Sequence, residues 1–457
     1  MELCRNYMVL AMSLGMLLNP LNSSMIAVAI PSLQQTFGIP LTTVVWIVFA
    51  FYITGAIFQP IIGKASDWFG RRQLFLLGLI IALIASLAAS FATHFGTLVT
   101  MRIAQAIGTS MTVTVGLALV RHHITQRREQ ALSLISSCQS GAAALGPFVG
   151  GLLLHWWGWS SIFDVNVPII LISLGLAWKF LPKESSQHDL RQVNVSLHSS
   201  LRQIDLIGIL LFAIGLIVLL GSLLSGKTNA HWSFMHIIGA SVGLLVLIVF
   251  VRHEWKMDRP FIPLRTLSEL PAVSWITVSF MIANVLFYAL FFGFPSYLQQ
   301  VIRLDSLHTG LIMLVLGLSS VAGATLAGKA LRRYSCRIIL WLAVSLMLVG
   351  SVLLIILQVH SSLYWSSLIL LLFGCSNGLS NVAMQADLME QTPASVAGVV
   401  SGLFNMARNL GGIVASMLIS IIAGAVFTAS QFHTLAIGLL VFVGIYGGLL
   451  YARNRLM

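Results

Sequence analysis

The chain has 457 residues, of which 58% are hydrophobic and 8% are charged, and its formal net charge is +12. Soluble proteins carry about 25% charged residues, so this composition excludes a soluble enzyme, a disordered chain and a fibrous protein. It predicts a helical membrane protein that crosses the bilayer many times.

Fourteen apolar stretches are long enough to cross a membrane. Each is close to the ~20 residues that a helix needs to span ~30 Å of hydrocarbon. Lipid satisfies no backbone hydrogen bonds, and the sequence lacks the short alternating segments of a closed barrel, so the predicted fold class is an all-α polytopic membrane protein. The predicted spans, in chain order, are 8–30, 44–63, 74–92, 97–119, 132–154, 161–180, 205–224, 235–252, 272–297, 307–328, 337–357, 363–385, 397–427 and 433–451.

Basic residues predict the orientation of these spans. When the connections are assigned alternately to two sides, all but four of the 25 lysines and arginines fall on the side of the N-terminus. The exceptions are Lys227 and Arg303 on the other side, and Arg102 and Arg408 inside spans. The positive-inside rule therefore predicts that both termini are cytoplasmic.

The spans group as six, two and six, which predicts two similar bundles with an insertion between them. We expect an N-terminal six-helix bundle at 1–182, cytoplasmic linkers with two extra transmembrane helices at 183–271, and a C-terminal six-helix bundle at 272–457. The halves repeat a loop pattern weakly, because GKASDWFGRR (63–72) and GKALRRYSCR (328–337) each follow the second span of a bundle. Duplicated units are typical of transporters, in which the substrate path lies between the halves.

The first of these loops combines glycines and charges at a particular spacing. Gly70 permits a sharp turn, and Asp67 can pair with Arg71 or Arg72. A positive-inside stop signal explains the arginines alone, whereas a charge latch also explains where the glycines and the aspartate lie. We therefore interpret the loop as a latch whose strength depends on conformation.

Two arginines lie inside predicted spans, where a charge is costly. Arg102 is in the fourth span with no acidic residue near it in sequence, and Arg408 is in the thirteenth span, flanked by Asn405 and Asn409. An arginine close to the end of a span can extend its side chain to the interface. We favour a functional role for both, because a buried arginine is normally tolerated only where it faces a cavity, a partner or backbone carbonyls.

The stretch SGAAALGPFVGG (140–151) gives the fifth span a thin and bendable face. Gly146, Pro147, Gly150 and Gly151 remove side-chain bulk and one backbone donor from it. Close helix packing explains this pattern, and so does a face on which a helix pivots or seals.

Polar residues interrupt the first span at membrane depth, in NPLNSSMIAVAIP (19–31). Pro20 breaks the backbone ladder, and Asn22 lies among further asparagines and serines. Such residues line a cavity or form hydrogen bonds between helices, and the sequence favours neither.

The sequence carries no motif for nucleotide, metal or hydrolase chemistry. It has no Walker A lysine motif, HExxH or GxSxG, so ATP-driven transport and hydrolysis are disfavoured and an enzyme is not expected. The pair His122 and His123 lies among arginines, and the four cysteines have no metal-binding spacing. We predict no cofactor, no metal and no nucleic-acid partner, because membrane orientation accounts for the basic excess.

Together these motifs resemble the fourteen-span drug:H+ antiporter family of the major facilitator superfamily, over nearly the whole chain. The similar stretches are 63–72, RIAQAIG (102–108), 140–151, VVWIVFAFYITG (44–55), WSSIFDVNVPI (159–169), HEWKMDRPFIPL (253–264) and VVSGLFNMARNLGGIVAS (399–416). The resemblance implies the major facilitator fold, with two six-helix bundles plus two extra central helices around a cavity, working by alternating access. It also implies a monomer in the lipid bilayer of a bacterial inner or plasma membrane, exporting small amphipathic molecules in exchange for protons.

The resemblance also implies roles for individual residues. The cytoplasmic latch would be Asp67, Gly70, Arg71 and Arg72, with Arg102 on the proton-relay span. The antiporter hinge would be Gly146, Pro147, Gly150 and Gly151. The candidate residues of the substrate cavity are Asn22, Trp46, Tyr52, Gln105, Asn405 and Arg408, with Trp46 and Tyr52 on the cavity side of the second span.

The first span departs from the family pattern, because Asn22 stands where the family has an aspartate. Asparagine cannot bind and release a proton, as a buried carboxylate can. A second departure is Ala106, which replaces the usual glycine after Gln105. An uncoupled facilitator, or a flippase for a lipid-like or dedicated metabolite, is therefore the alternative to a proton antiporter, and a protein that senses rather than transports is a third possibility. No acid lies clearly at mid-membrane depth, and the open candidates for the proton carrier are Asp67, Asp164 and Asp387.

Overall fold

The computed structural model consists of long helices joined by short connections. It describes the residues 2–123, 128–182, 205–225, 234–257, 260, 262, 264–356, 363–392, 397–423 and 427–456. The whole polar segment 183–204, which is part of the predicted linkers, lies outside these residues.

Fourteen helices in the described ranges are long and apolar enough to cross a membrane, as predicted, and the protein is a multi-pass membrane protein. Each overlaps its predicted stretch, and we number them spans 1 to 14. A short helix, Leu264–Glu269, precedes span 9. The helices of the spans are Glu2–Phe37 (1), Leu41–Val44 with Trp46–Phe69 (2), Arg71–Ser90 (3), Phe95–His123 (4), Arg128–Trp157 (5), Ser161–Asp164 with Asn166–Phe180 (6), Leu206–Ser225 (7), Phe234–Lys256 (8), Pro271–Gln300 (9), Ser306–Ala330 (10), Cys336–Ile356 (11), Leu363–Gln391 (12), Ala397–Ala423 (13) and Ala429–Leu456 (14).

The two groups of six spans repeat one packing pattern. Span 1 packs against spans 5 and 6, as span 9 packs against spans 13 and 14. Span 3 packs against span 4, as span 11 packs against span 12, and spans 2 and 10 pack against spans 4 and 12 in the same way. The chain therefore has two six-helix bundles with two extra spans between them in sequence, as predicted.

The two extra spans are central in the sequence but peripheral in the structure. Spans 7 and 8 pack mainly against each other, and span 7 also touches spans 2 and 13. In the most apolar 18-residue stretch of span 8, only 11% is buried inside the protein, whereas the corresponding value for span 1 is 72%. Span 8 therefore presents most of its apolar surface to lipid.

An even number of spans brings both chain ends to one side of the membrane, which we call the terminal face, and we call the opposite side the far face. Near the far face, the bundles are joined by hydrogen bonds between spans 1 and 9. Gln299 Nε2 donates to the Val28 carbonyl at 3.0 Å, and Gln300 Nε2 donates to Gln34 Oε1 at 2.7 Å. The bundles are thus in direct contact at the far face.

Candidate functional site

Arg102 is the centre of a buried polar network in the N-terminal bundle. It lies on span 4, is 1% exposed, and donates from Nη1 to Gln105 Oε1 at 2.6 Å. The two residues are three positions apart, so the helix itself brings their side chains together. Gln105 Nε2 donates to Asn22 Oδ1 on span 1 at 3.2 Å and to Ser86 Oγ on span 3 at 2.8 Å.

Asn166 on span 6 completes this network. Its Nδ2 donates to Asn22 Oδ1 at 2.9 Å and to the Phe163 carbonyl at 3.1 Å. Arg102 can only donate, so it fixes Gln105 Oε1 as an acceptor and directs the Gln105 amide donors at Asn22. Asn22 Oδ1 therefore occupies a slot made by two amide donors, which would hold a carboxylate oxygen as well as an amide oxygen.

No carboxylate among the described residues forms an ion pair with Arg102. Within the same described part, its Nε and Nη2 atoms are buried without a hydrogen-bond partner. The guanidinium carbon lies 4.4 Å from the centroid of the Phe51 ring and 5.9 Å from that of Phe163. Cation–π contacts offset part of the desolvation, but the positive charge is not neutralised.

The two aromatic candidates on span 2 face different neighbours. The ring centroid of Tyr52 lies 5.5 Å from that of Tyr288 on span 9, and a methyl group on Gly412 of span 13 would lie 3.2 Å from the Tyr52 ring. Trp46 instead faces span 7, since a methyl group on Gly221 would lie 3.8 Å from its ring. Tyr52 is thus between the bundles, while Trp46 lies against the extra pair.

The polar residues of span 13 also point in different directions. Arg408 is half-buried, with its guanidinium carbon 5.8 Å from the ring centroid of Phe280 in its own bundle. Asn405 is exposed. Asn409 faces span 2, because its Nδ2 lies 3.7 Å from the position of a methyl group on Gly55. The Arg408 charge is therefore less deeply buried than that of Arg102.

The glycines of span 5 serve two separate contacts. Gly146 and Gly150 face span 1: a methyl group on Gly146 would collide with Ser24 Oγ, and one on Gly150 would lie 3.0 Å from the Met25 carbonyl oxygen. Gly151 points the other way, to span 10. One side of this face therefore binds span 5 to its own bundle, and the other meets the opposite bundle.

The contact between spans 5 and 10 is a close backbone approach, which we call the glycine seam. A methyl group on Gly151 would collide with the Ser306 carbonyl oxygen. A methyl group on Gly310 would lie 2.7 Å from the Pro147 carbonyl oxygen, and one on Gly317 would collide with the backbone of span 5. The seam runs from mid-membrane to the far face, and no larger side chain fits there without moving the bundles apart.

In the loop between spans 2 and 3, the structure describes the turn and the arginines. Gly70 has a φ of +86°, which favours glycine. Arg72 Nη2 donates to the Trp178 carbonyl at 2.7 Å, so it ties span 3 to span 6 of the same bundle. Arg71 is partly buried and has an interaction partner. The side chain of Asp67 lies outside the described residues.

The other two candidate proton carriers already have partners. Asp164 is exposed and accepts a hydrogen bond from Ser90 Oγ at 2.5 Å. Asp387 on span 12 is 4% exposed and forms an ion pair through both oxygens with Arg453 on span 14, with Oδ1 and Nη2 2.8 Å apart. The connection between spans 12 and 13, which follows Asp387, contains no basic residue in its sequence, and the partner of Asp387 comes from span 14 instead. This pair lines a cavity of about 390 Å³ at the terminal face.

Sequence reasoning missed two members of the Arg102 network. Asn166 lies in the stretch at 159–169, which carried a family resemblance but no assigned role, and Ser86 has no local signal at all. Among the described residues, no group of three or more histidines, cysteines and acids is arranged to hold a metal.

Two bundles, a buried polar network and a glycine seam between the bundles are features of a membrane transporter. The model of the Major Facilitator Superfamily matches residues 12–204 and 200–416, and the chain belongs to that superfamily. It is 39% identical to YwoD of Bacillus subtilis (strain 168), described as an uncharacterized MFS-type transporter, over 93% of this chain and 92% of that protein.

Other similarities are more distant. The chain is 26% identical to the multidrug resistance protein Stp of Mycobacterium tuberculosis (strain CDC 1551 / Oshkosh), over 92% of this chain and 76% of that protein. The crystal structure of a mutant of the nucleoside transporter NupG has a TM-score of 0.67 at 11% identity, covering 98% of this chain and 99% of that one. This structural similarity concerns the fold alone.

Proposed function

We propose that the protein is a secondary active transporter that exports small amphipathic molecules by alternating access, in exchange for protons. The observation that carries this proposal is the combination of a buried, unneutralised Arg102 network in one bundle and a glycine seam that joins the two bundles from mid-membrane to the far face. Similarity to a multidrug resistance protein supports drug-like substrates.

The glycine seam is the part that has to open for alternating access. Its backbones touch because Gly151, Gly310 and Gly317 carry no side chains, so few interlocking side chains hold the two surfaces together. Such surfaces separate and rejoin without rotamer changes. We propose that the bundles at 1–182 and 272–457 rock against each other so that this seam opens and closes, and that the segment at 183–271 connects them.

The Arg102 network is where a substrate or proton would be sensed. Its cation is buried without a carboxylate among the described residues, and its members come from four different spans. An anionic or electron-rich substrate group near Tyr52 would interact favourably with this charge. A strongly cationic substrate would be repelled by it. We therefore propose neutral, zwitterionic or anionic amphiphiles as the substrate class.

We also propose the orientation and setting of the transporter. In this proposal both termini lie in the cytoplasm of a bacterial cell, which the excess of basic residues in the connections of the terminal face supports. The protein would be a monomer in the inner or plasma membrane. The far face, where the bundles meet, is then the outer face, and the conformation described is closed to the outside.

Purified protein in liposomes with a pH-sensitive dye inside tests the coupling. Candidate amphiphiles of each charge type are added under an imposed proton gradient, and substrate-dependent proton movement is recorded. Proton antiport predicts proton flux that requires substrate and substrate flux that requires the gradient. Transport that ignores the gradient would contradict the antiport part of the proposal.

Two glycine variants test the role of the seam in the same liposomes. Gly151→Leu should reduce transport at least about tenfold, since the side chain keeps the bundles apart at the far face. Gly175→Leu on span 6 is the matched control, because no atom lies within 4 Å of a methyl group there. Equal activity of the two variants would remove the seam from the mechanism.

A second function keeps the fold and changes the coupling. Asn22 is neutral, and its oxygen is satisfied by two amide donors, so it cannot carry a proton through the cycle. This favours an uncoupled facilitator, or a flippase for a lipid-like or dedicated metabolite. The same liposome experiment distinguishes the two, because an uncoupled carrier moves substrate at equal rates with and without the gradient.

A further inference from the structure

Two buried acids and a histidine meet at the terminal-face ends of the extra spans, away from the Arg102 network. Asp205 precedes the first turn of span 7, and His253 and Glu254 lie in the last turn of span 8. Asp205 is 4% exposed and Glu254 is 0% exposed. The motif HEWKMDRPFIPL (253–264) contains two of these residues, and the transport proposal gives it no role.

Asp205 is held in its ionised form by hydrogen-bond donors. Its Oδ1 accepts from the Gly208 backbone N–H at 2.8 Å and lies 2.9 Å from His253 Nε2. Burial alone would raise the pKa of Asp205, but these two donors and the Glu254 side chain outweigh it and hold the pKa below its ordinary value. Asp205 is therefore an anion at neutral pH.

The carboxyl group of Glu254 lies against that anion. A methyl group on Gly208 would collide with both Asp205 Oδ2 and Glu254 Oε1, so the two oxygens occupy neighbouring positions. The other oxygen of Glu254, Oε2, accepts from the Ile262 backbone N–H at 2.7 Å. Two carboxyl groups can form a hydrogen bond only when one of them carries a proton, and two buried carboxylates at this separation would repel each other.

Few charged groups of the described residues surround Asp205, and Glu254 takes part in a further interaction besides those named above. Span 7 itself has no ionisable side chain, and Arg265 of the short helix is exposed and donates from Nε to the Trp255 carbonyl at 2.8 Å. Among the described residues, His253 is the one basic group within hydrogen-bond distance of Asp205. The remaining charged residues nearby in sequence are Arg252, Lys256 and Glu269, which are exposed, and Arg202, Asp258 and Arg259, which lie outside the described residues.

We propose that Asp205, His253 and Glu254 form a proton-binding site in which Glu254 holds a proton at neutral pH and donates it to Asp205 Oδ2. The proton is taken from water at the terminal face and returns there, and no other bond changes. This site is outside the two bundles and does not depend on the transport proposal.

The site joins three parts of the chain. Asp205 belongs to the start of span 7, Glu254 to the end of span 8, and Ile262 to the segment that leads into span 9 and the C-terminal bundle. Loss of the proton would place two negative charges side by side in a buried junction. The site is therefore a proton-dependent clamp on the connection between the extra pair and the C-terminal bundle.

Infrared spectroscopy of the full-length protein in liposomes tests the proton directly. A protonated buried carboxyl group gives a carbonyl band that ionised carboxylates lack, and we expect such a band at neutral pH in the wild-type protein. Glu254→Gln should abolish one band of this kind, whereas Glu269→Gln, which changes an exposed acid of the short helix, should leave it. Absence of the band from the wild-type protein overturns the proposal, whether or not any variant folds.

Thermal unfolding as a function of pH is the second test. A proton bound in the folded form and released on unfolding makes stability fall as the pH rises through the titration of the site. Glu254→Gln keeps an N–H donor toward Asp205 and an oxygen toward Ile262, so its melting temperature should match that of the wild type at neutral pH. In this variant the melting temperature should not show the decrease at alkaline pH. An alkaline fall of the same size in Glu254→Gln, or a retained infrared band, overturns the proposal.

Discussion

The two bundles bury an arginine in opposite ways. In the C-terminal bundle, Arg453 is paired with Asp387 through both carboxylate oxygens and borders a cavity at the terminal face. In the N-terminal bundle, Arg102 is 1% exposed and donates to the amide of Gln105, with no carboxylate partner among the described residues. A paired charge is part of the framework of the fold. A buried charge left without a counter-ion destabilises the fold, which is the reason for proposing a functional role for Arg102.

The pair in the C-terminal bundle should show the largest effect on stability. Asp387→Asn leaves Arg453 partly buried without its anion, and breaking a buried pair in this way costs about 3 kcal/mol of unfolding free energy. Unfolding of the purified protein in detergent measures this loss. Glu390→Gln is a suitable control, because this acid is exposed on the same helix end.

A double variant separates the pair from its surroundings. Asp387→Asn combined with Arg453→Gln removes both charges and should recover most of the lost stability, since no buried charge remains. A double variant that is as unstable as Asp387→Asn alone would mean that the ion pair is not the stabilising element.

Substitution of Arg102 should affect transport much more than stability. Arg102→Met removes a charge that is not neutralised and keeps most of the apolar side-chain volume, so the unfolding free energy should change by less than about 1 kcal/mol. Transport should nevertheless fall at least about tenfold, equivalent to about 1.4 kcal/mol in the activation free energy. Unfolding in detergent and uptake in liposomes are measured on the same preparation. A large loss of stability with unchanged transport would reverse the assignment of the two arginines.

The sequence was sufficient for the spans but not for the partners of their charges. Hydropathy and length are local properties, so all fourteen spans were predictable, and the position of Arg102 inside one of them was predictable as well. Its partners Asn22, Ser86 and Asn166 come from three other spans. A sequence does not state which helix faces meet, because that depends on packing across the bundle.

The surroundings of the acidic residues could not be predicted from the sequence for the same reason. Asp387 was a candidate proton carrier because no basic residue lay near it in the chain, yet Arg453 lies 66 positions away and is its ion-pair partner. Asp205 is the first residue of the predicted seventh span and Glu254 follows the predicted eighth span, positions at which acids are expected to be solvated. They are buried because the ends of spans 7 and 8 come together, which no local pattern predicts.

The difference between Arg102 and Arg453 can be tested further by introducing a carboxylate close to Arg102. In Asn22→Asp, the carboxylate would occupy the slot formed by the Gln105 and Asn166 amides, one residue away from Arg102 in the network. We expect the protein to fold and its transport to become more strongly dependent on pH, because an ionisable group now lies in the network. The rate of transport is measured between acidic and alkaline pH.

The matched control for this variant is Asn166→Asp. It also adds an acid to the network, but it removes the amide donor to Asn22 Oδ1 and places two oxygens against each other. It should therefore lose stability, unlike Asn22→Asp. Identical behaviour of the two variants would show that the slot around Asn22 has no preference for an oxygen at that position.

The smallest effect is expected for a charge contact exposed to solvent at the far face. Asp305 caps span 10, accepts from the His308 backbone N–H at 3.0 Å, and lies 3.7 Å from His155 Nδ1 of the other bundle. Burial alone would raise the pKa of Asp305, but the hydrogen bonds from His308 and the nearby imidazole of His155 outweigh it and lower the pKa. A lowered carboxyl pKa contributes stability that is present above the ordinary aspartate range and is lost as the pH falls through the folded value.

Two variants divide this contribution into its parts. Asp305→Asn keeps an N-cap acceptor and removes the charge, so it should change the unfolding free energy by less than about 1 kcal/mol. Asp305→Ala removes the cap as well and should cost roughly 1 kcal/mol more. Both are compared with the wild type by unfolding in detergent at neutral and acidic pH, where the difference between Asp305→Asn and the wild type should narrow as the carboxylate protonates. If Asp305→Asn lost as much unfolding free energy as Asp387→Asn, then solvent exposure would not be what makes the Asp305 contact weaker than the Asp387–Arg453 pair.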